Sequence, residues 1–132
     1  MWVVILEKAW AKLHSNFEAI EGGVCTETIK DLCGAPGFDI EITDPKLWQK
    51  IVFADQHDHI MTCAIHDGDS KKFEALGLVN MHAYSLIAAA EVDGHKIVQL
   101  RNPWGKFEWK GDWSDHSSLW TEENKKQVNY VN

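Results

Sequence analysis

His82 and Asn102 are the two residues whose types and placement could do chemistry together. They stand at the ends of two strand-like runs, "HAYSLIAAAEV" and "KIVQLRN", joined by Asp93-Gly94, a strong two-residue hairpin signal. Both therefore fall at the open end of the hairpin. A histidine held by an asparagine amide is the supporting pair of a cysteine nucleophile. The imidazole takes the thiol proton to give a thiolate–imidazolium pair. The asparagine oxygen accepts the other ring N–H and fixes orientation and tautomer. Pro103 stops the ladder after Asn102. Trp104 would lie over the histidine–asparagine bond and keep water from it.

The pairing carries a geometric requirement. In a bulge-free ladder around a two-residue turn, Asn102 lies opposite Ser85, which puts His82 on the other face. A bulge or a longer turn is needed to bring the two together. By itself, a strand histidine is more often a satisfied structural residue. Ser85 makes no serine triad, because it has no evident acid partner and lies only three residues after His82. His57, His59, Cys63 and His66 have some zinc-like spacing but lack the paired knuckles of a structural site. Trp104, Trp109, Trp113 and Trp120 read first as core packing of a small β-rich half. An exposed aromatic platform for carbohydrate or peptide is the alternative.

The elements that must position these residues follow from periodicity. Trp2, Ile5, Leu6, Ala9, Trp10 and Leu13 share one face of a helix. "EGGVC" is a loop, and a short helix begins at Thr26. "GAPGFDIEI" reads as a turn and then a strand through Phe38, Ile40 and Ile42. Asp44-Pro45 starts another helix, with Leu47, Trp48, Ile51 and Val52 as its apolar face. "IMTCAI" is a buried strand, "HDGDSKKFEALG" a polar loop, and Thr121 caps a last short helix. "QVNYVN" breaks off in strand-like alternation. Helices precede mostly antiparallel strands, so the fold class is α+β. The absent lead-in before Met1 and the broken-off end suggest a piece of a longer chain.

Composition narrows the class of function. The chain has 132 residues, 45% of them hydrophobic and 25% charged, enough for a globular core. A net charge of −7 argues against nucleic acid, which needs a basic stripe. No apolar run is long enough for a transmembrane segment, and the start lacks secretory features. Three unpatterned cysteines, Cys25, Cys33 and Cys63, point to reduced thiols inside the cell.

"GLVNMHAYS" followed by "RNPWGKFEWKGDWSD" resembles the calpain cysteine proteases, and "LEKAWAKLHSNFEAIEGG" resembles the start of the second half of their protease core. The resemblance covers nearly the whole chain. It implies that residues 1–132 form one subdomain, the C-terminal half of a papain-like core with an antiparallel, barrel-like sheet flanked by short helices. His82 would be the catalytic histidine, Asn102 its orienter and Trp104 the cleft tryptophan, which in this family also moves during calcium activation. Glu108 and Asp115 match acidic positions that bind calcium, although two carboxylates are too few for a site. The implied protein is a cytoplasmic, calcium-dependent endopeptidase acting on other proteins.

Two departures stand out. Met81 replaces the family's usual glycine before the histidine. The Gln–Gly–Asp–Cys–Trp type motif that carries the nucleophile, and the oxyanion-hole glutamine, are absent. Cys25, Cys33 and Cys63 read as structural. The resemblance thus implies a partner half in the same parent chain that supplies the thiol, and no cleavage by this chain alone. A non-catalytic calpain-like binding module is the alternative.

Overall fold

The computed structural model describes residues 1–128, and the chain divides into two compact units. The first, Met1–Ile40, holds α1 (Trp2–Leu13), a single 3-10 turn (Glu18–Ile20) and α2 (Cys25–Cys33). Ala11 is buried and Trp10 half-buried, and the Trp10 and His14 rings lie 4.4 Å apart. Much of the expected apolar face is not covered: Trp2, Ile5, Leu6 and Leu13 are exposed. α2 begins at Cys25, one residue before the sequence reading, and ends at a left-handed Gly34. The strand expected through Phe38, Ile40 and Ile42 is absent. Phe38 and Ile42 are exposed, and Asp44 N–H turns back to the Glu41 carbonyl at 3.0 Å. Among the described residues no strand pairs with this segment, and alternation alone leaves the ladder groups without partners.

The second unit begins at Glu41 and contains the sheet. Asp44-Pro45 opens a turn, and α3 follows from Leu47 to Gln56. The Asp44 carboxylate accepts from Lys46 N–H (2.7 Å) and pairs with Lys50 Nζ (2.6 Å). The Lys50 side chain and then the Lys46 N–H hold its pKa below the usual carboxylate value. Among the described residues three antiparallel strands follow in the order β1 (Met61–Ile65), β2 (His82–Val92), β3 (His95–Arg101). The Asp93-Gly94 hairpin forms as expected, with φ of 49° and 77° at the two turn residues. α3 lies against β2, where Asp55 Oδ2 accepts the Ala89 N–H (3.3 Å), a donor beyond the reach of β1.

The expected polar loop at 66–77 contains a helix, α4 (Ser70–Leu76). Asp69 accepts from the backbone N–H groups of Lys71 and Lys72. At the other end, Gly77 N–H and Leu78 N–H return to the carbonyls of Glu74 (3.0 Å) and Phe73 (2.8 Å), a Schellman stop. The caps outweigh the polar composition of this short segment. α5 (Glu122–Gln127) has the expected Thr121 cap, completed by Asn124. The fully buried Asn124 also donates to Asp93 Oδ2 (3.3 Å), tying α5 to the hairpin turn. Trp113 and Trp120 pack edge to face at 4.9 Å, and Trp113 lies 5.5 Å from the His95 ring. Most of "QVNYVN" lies outside the described residues.

Candidate active site

The register of β2 on β3 contains the irregularity that the chemistry requires. From the turn the pairs run Val92↔His95 to Ala88↔Gln99, then jump to Leu86↔Leu100 and Ser85↔Arg101. Ile87 is the extra residue. One step further along this shifted register, Asn102 falls opposite Tyr84 instead of Ser85. Tyr84 and His82 have the same parity, so the bulge moves Asn102 onto the histidine's face.

The side chains meet there. His82 Nε2 lies 2.8 Å from Asn102 Oδ1. The remaining contacts of the amide fix which atom faces which. Asn102 Nδ2 donates to the carbonyls of Lys106 and Phe107, and Oδ1 also accepts the Trp104 N–H at 3.1 Å. Carbonyls only accept and backbone N–H groups only donate, so a flipped amide would break all three bonds. Oδ1 therefore faces the imidazole and Nε2 carries the hydrogen, so in the neutral ring Nδ1 is the nitrogen with a lone pair able to take a proton. The sequence pointed to His82 and Asn102 but not to the two carbonyls that lock the amide. The "KF" at 106–107 carries no signal for that role, because any residue supplies a carbonyl.

Aromatic walls enclose the imidazole, which is buried. Tyr84 meets it edge-on at 4.9 Å, and Trp104 lies 4.4 Å away at a tilt of 55°. The Tyr84 hydroxyl in turn accepts the Val79 N–H at 2.8 Å, fixing the approach to β2. Trp104 covers the histidine on one side while remaining 60% exposed itself. Met81, just before the histidine, sits at φ 51° and is also exposed. A left-handed methionine is costly, by about 1–2 kcal/mol. A glycine would take that conformation without the penalty.

Glu108 and Asp115 are both exposed in the segment after Asn102. Glu108 lines a cavity of about 380 Å³ with Ile87, Leu100, Arg101 and Asn102. Among the described residues no three His, Cys, Asp or Glu side chains gather as a metal-holding group. His57 and His59 instead flank the Phe53 ring, at 4.1 and 5.9 Å. Cys63 lies in β1 opposite Tyr84, Cys33 Sγ donates to the Ile29 carbonyl (3.1 Å), and Cys25 opens α2.

The family model described as calpain family cysteine protease matches residues 1–132. A calpain-type cysteine protease of Oryza sativa subsp. japonica is 40% identical over 141 residues, covering 99% of this chain and 6% of the rice protein. Calpain-14 of Homo sapiens is 39% identical over 125 residues, covering 90% of this chain and 18% of the human protein. The calpain-1 catalytic subunit of Mus musculus is 37% identical over 128 residues, with the same coverage. The chain thus spans a small part of the length of these relatives. By its match along the full sequence, the chain belongs to the calpain family of cysteine proteases.

Proposed function

We propose that this chain supplies the general base of a papain-like cysteine endopeptidase and that its parent hydrolyses peptide bonds in proteins. The observation that carries this reading is the 2.8 Å contact between His82 Nε2 and Asn102 Oδ1, with the amide locked by its own partners. In this mechanism Nδ1 takes the proton of a cysteine thiol contributed by another part of the parent. The thiolate attacks the scissile carbonyl carbon. The imidazolium then gives its proton to the departing amine, leaving a thioester. Water, deprotonated by the same nitrogen, attacks the thioester and releases the acid and the thiol. Asn102 holds the ring in one plane throughout and accepts from Nε2–H in both protonation states. Trp104 keeps water off that bond.

The partner is accordingly the cysteine-bearing half of the protease core in the same parent chain. This chain alone does not cleave. Calcium is proposed as a regulator of the parent. Glu108 and Asp115 offer oxygen donors of the right chemistry, but calcium takes about six to eight oxygens, so the other ligands come from elsewhere in the parent. A cytoplasmic setting fits the three unpatterned cysteines, Cys25, Cys33 and Cys63.

The test is cleavage of an unstructured protein by the full-length parent, with calcium and with chelator, beside His82→Ala. Calcium-dependent cleavage that disappears in the variant is the expected result. Cleavage without calcium removes the metal switch and keeps the protease. A folded parent that never cleaves would make this unit a calpain-like binding module.

A further inference from the structure

The end of α4 touches the chain on both sides of the His82–Asn102 pair. Gly77 is buried, with φ 80°. A Cβ there would run into the Glu108 carbonyl oxygen, 2.7 Å from its carbon and 3.2 Å from Lys110 Cγ. A backbone carbonyl cannot swing away as a side-chain tip can. Two further bonds hold the same segment against the helix. Lys110 N–H donates to the Leu76 carbonyl (2.9 Å), and Lys110 Nζ to the Glu74 carbonyl (3.3 Å). Residues 108–110 are thus seated on the C-terminal end of α4.

Immediately before that seat come Lys106 and Phe107, whose carbonyls hold the Asn102 amide. Phe107 stands at φ 64°, a conformation that persists only when its surroundings impose it. In the other direction Gly77 leads into His82 through a short fixed segment. Leu78 N–H is bound to the Phe73 carbonyl, Val79 N–H to the Tyr84 hydroxyl, and Asn80 Nδ2 to the Gly68 carbonyl and Ser70 Oγ. The backbone contact of Gly77 with Glu108 therefore sets the spacing between the segment entering His82 and the loop holding Asn102.

We propose that Gly77 is a positioning residue for the His82–Asn102 pair. It admits the Glu108 carbonyl to the end of α4, and through that loop it aims the Asn102 oxygen at His82 Nε2. The proposal rests on the reading of the pair as base and orienter. Gly77 touches no substrate in this scheme. A glycine that served only as a helix stop would affect stability and leave the imidazole unchanged.

The measurement is nitrogen NMR of the histidine-labelled chain, at a pH where the rings are neutral. In the native chain His82 should carry its hydrogen on Nε2, with the Nε2–H proton protected from exchange. Gly77→Ala should lower the ratio of the Nε2–H to the Nδ1–H form about two- to twelvefold, the range expected for losing one hydrogen bond, and expose the proton. Gly34→Ala is the control: it carries the same left-handed penalty at a helix end but meets nothing within 4 Å, and should leave His82 as it was. A folded Gly77→Ala protein with an unchanged His82 overturns the proposal. If Gly77→Ala does not fold, Lys110→Met decides, by a smaller shift in the same direction or none. A native chain without the Nε2–H form would overturn the base-and-orienter reading itself, and this inference with it.

Discussion

At the residue scale, Asn102 shows how one side chain can serve a neighbour only when its own bonds are complete. Its amide gives two hydrogen bonds to backbone carbonyls and receives two N–H groups, so its oxygen has one place to point. Asn102→Ala removes the acceptor and strands the Trp104 N–H and two carbonyls. We expect kcat/KM of the parent to fall on the order of 10²-fold, the usual effect of a misplaced catalytic group, with KM little changed. Steady-state kinetics on a peptide substrate, with near-ultraviolet circular dichroism to verify folding, checks this. A kcat/KM unchanged in a folded variant would remove Asn102 from the machinery.

At the scale of elements, the site depends on one extra residue in β2. Deleting Ile87 restores the bulge-free ladder and returns Asn102 to the position opposite Ser85, away from His82. Ile87→Ala keeps the residue count and should keep the bulge, at small cost because this side chain is 45% exposed. Nuclear Overhauser contacts between the His82 and Asn102 side chains should vanish in the deletion and persist in the substitution. Their persistence in the deletion would mean that the loop, and not the register, brings the pair together.

The entry to α3 offers a pH-dependent test at the same scale. Asp44 titrates lower in the folded chain because Lys50 and the Lys46 N–H favour its carboxylate. The sign follows from that direction. The contribution is full above the unfolded carboxylate pKa and is lost as pH falls through the lower, folded value. Lys50→Met should therefore flatten the acid side of a plot of unfolding midpoint against pH and leave the alkaline side unaltered. Parallel acid limbs in urea titrations of the two proteins would discount the pair.

At the scale of the whole molecule, the contacts described above for the candidate site lie in the unit that begins at Glu41. His82, Tyr84, Asn102, Trp104, the α4 end and the 106–110 loop are all within it. A chain starting at Glu41 should therefore fold alone and keep the His82 Nε2–H tautomer. Overlay of its amide spectrum with the same residues of the full chain tests this. Wholesale loss of dispersion would show that residues 1–40 are needed to hold the site.

Sequence and tertiary structure divided the determination of this site between them. Local chemistry marked the hairpin at Asp93-Gly94, the strands on either side, the Thr121 cap and the α+β class. Turn conformations and caps depend on a few adjacent residues. The motif around His82 and Asn102 also marked the family. The sequence required a bulge or a longer turn but could not choose between them or place a bulge at Ile87, because β-branched residues at 87 and 97 look alike until two strands are aligned. Nor did alternation at Phe38–Ile42 reveal that no strand among the described residues pairs with it. The orientation of the Asn102 amide, the aromatic wall on His82 and the seat of Glu108 on Gly77 were decided only by the folded chain. Each rests on a contact between residues distant in sequence or with a backbone group, and backbone groups carry no residue identity to read.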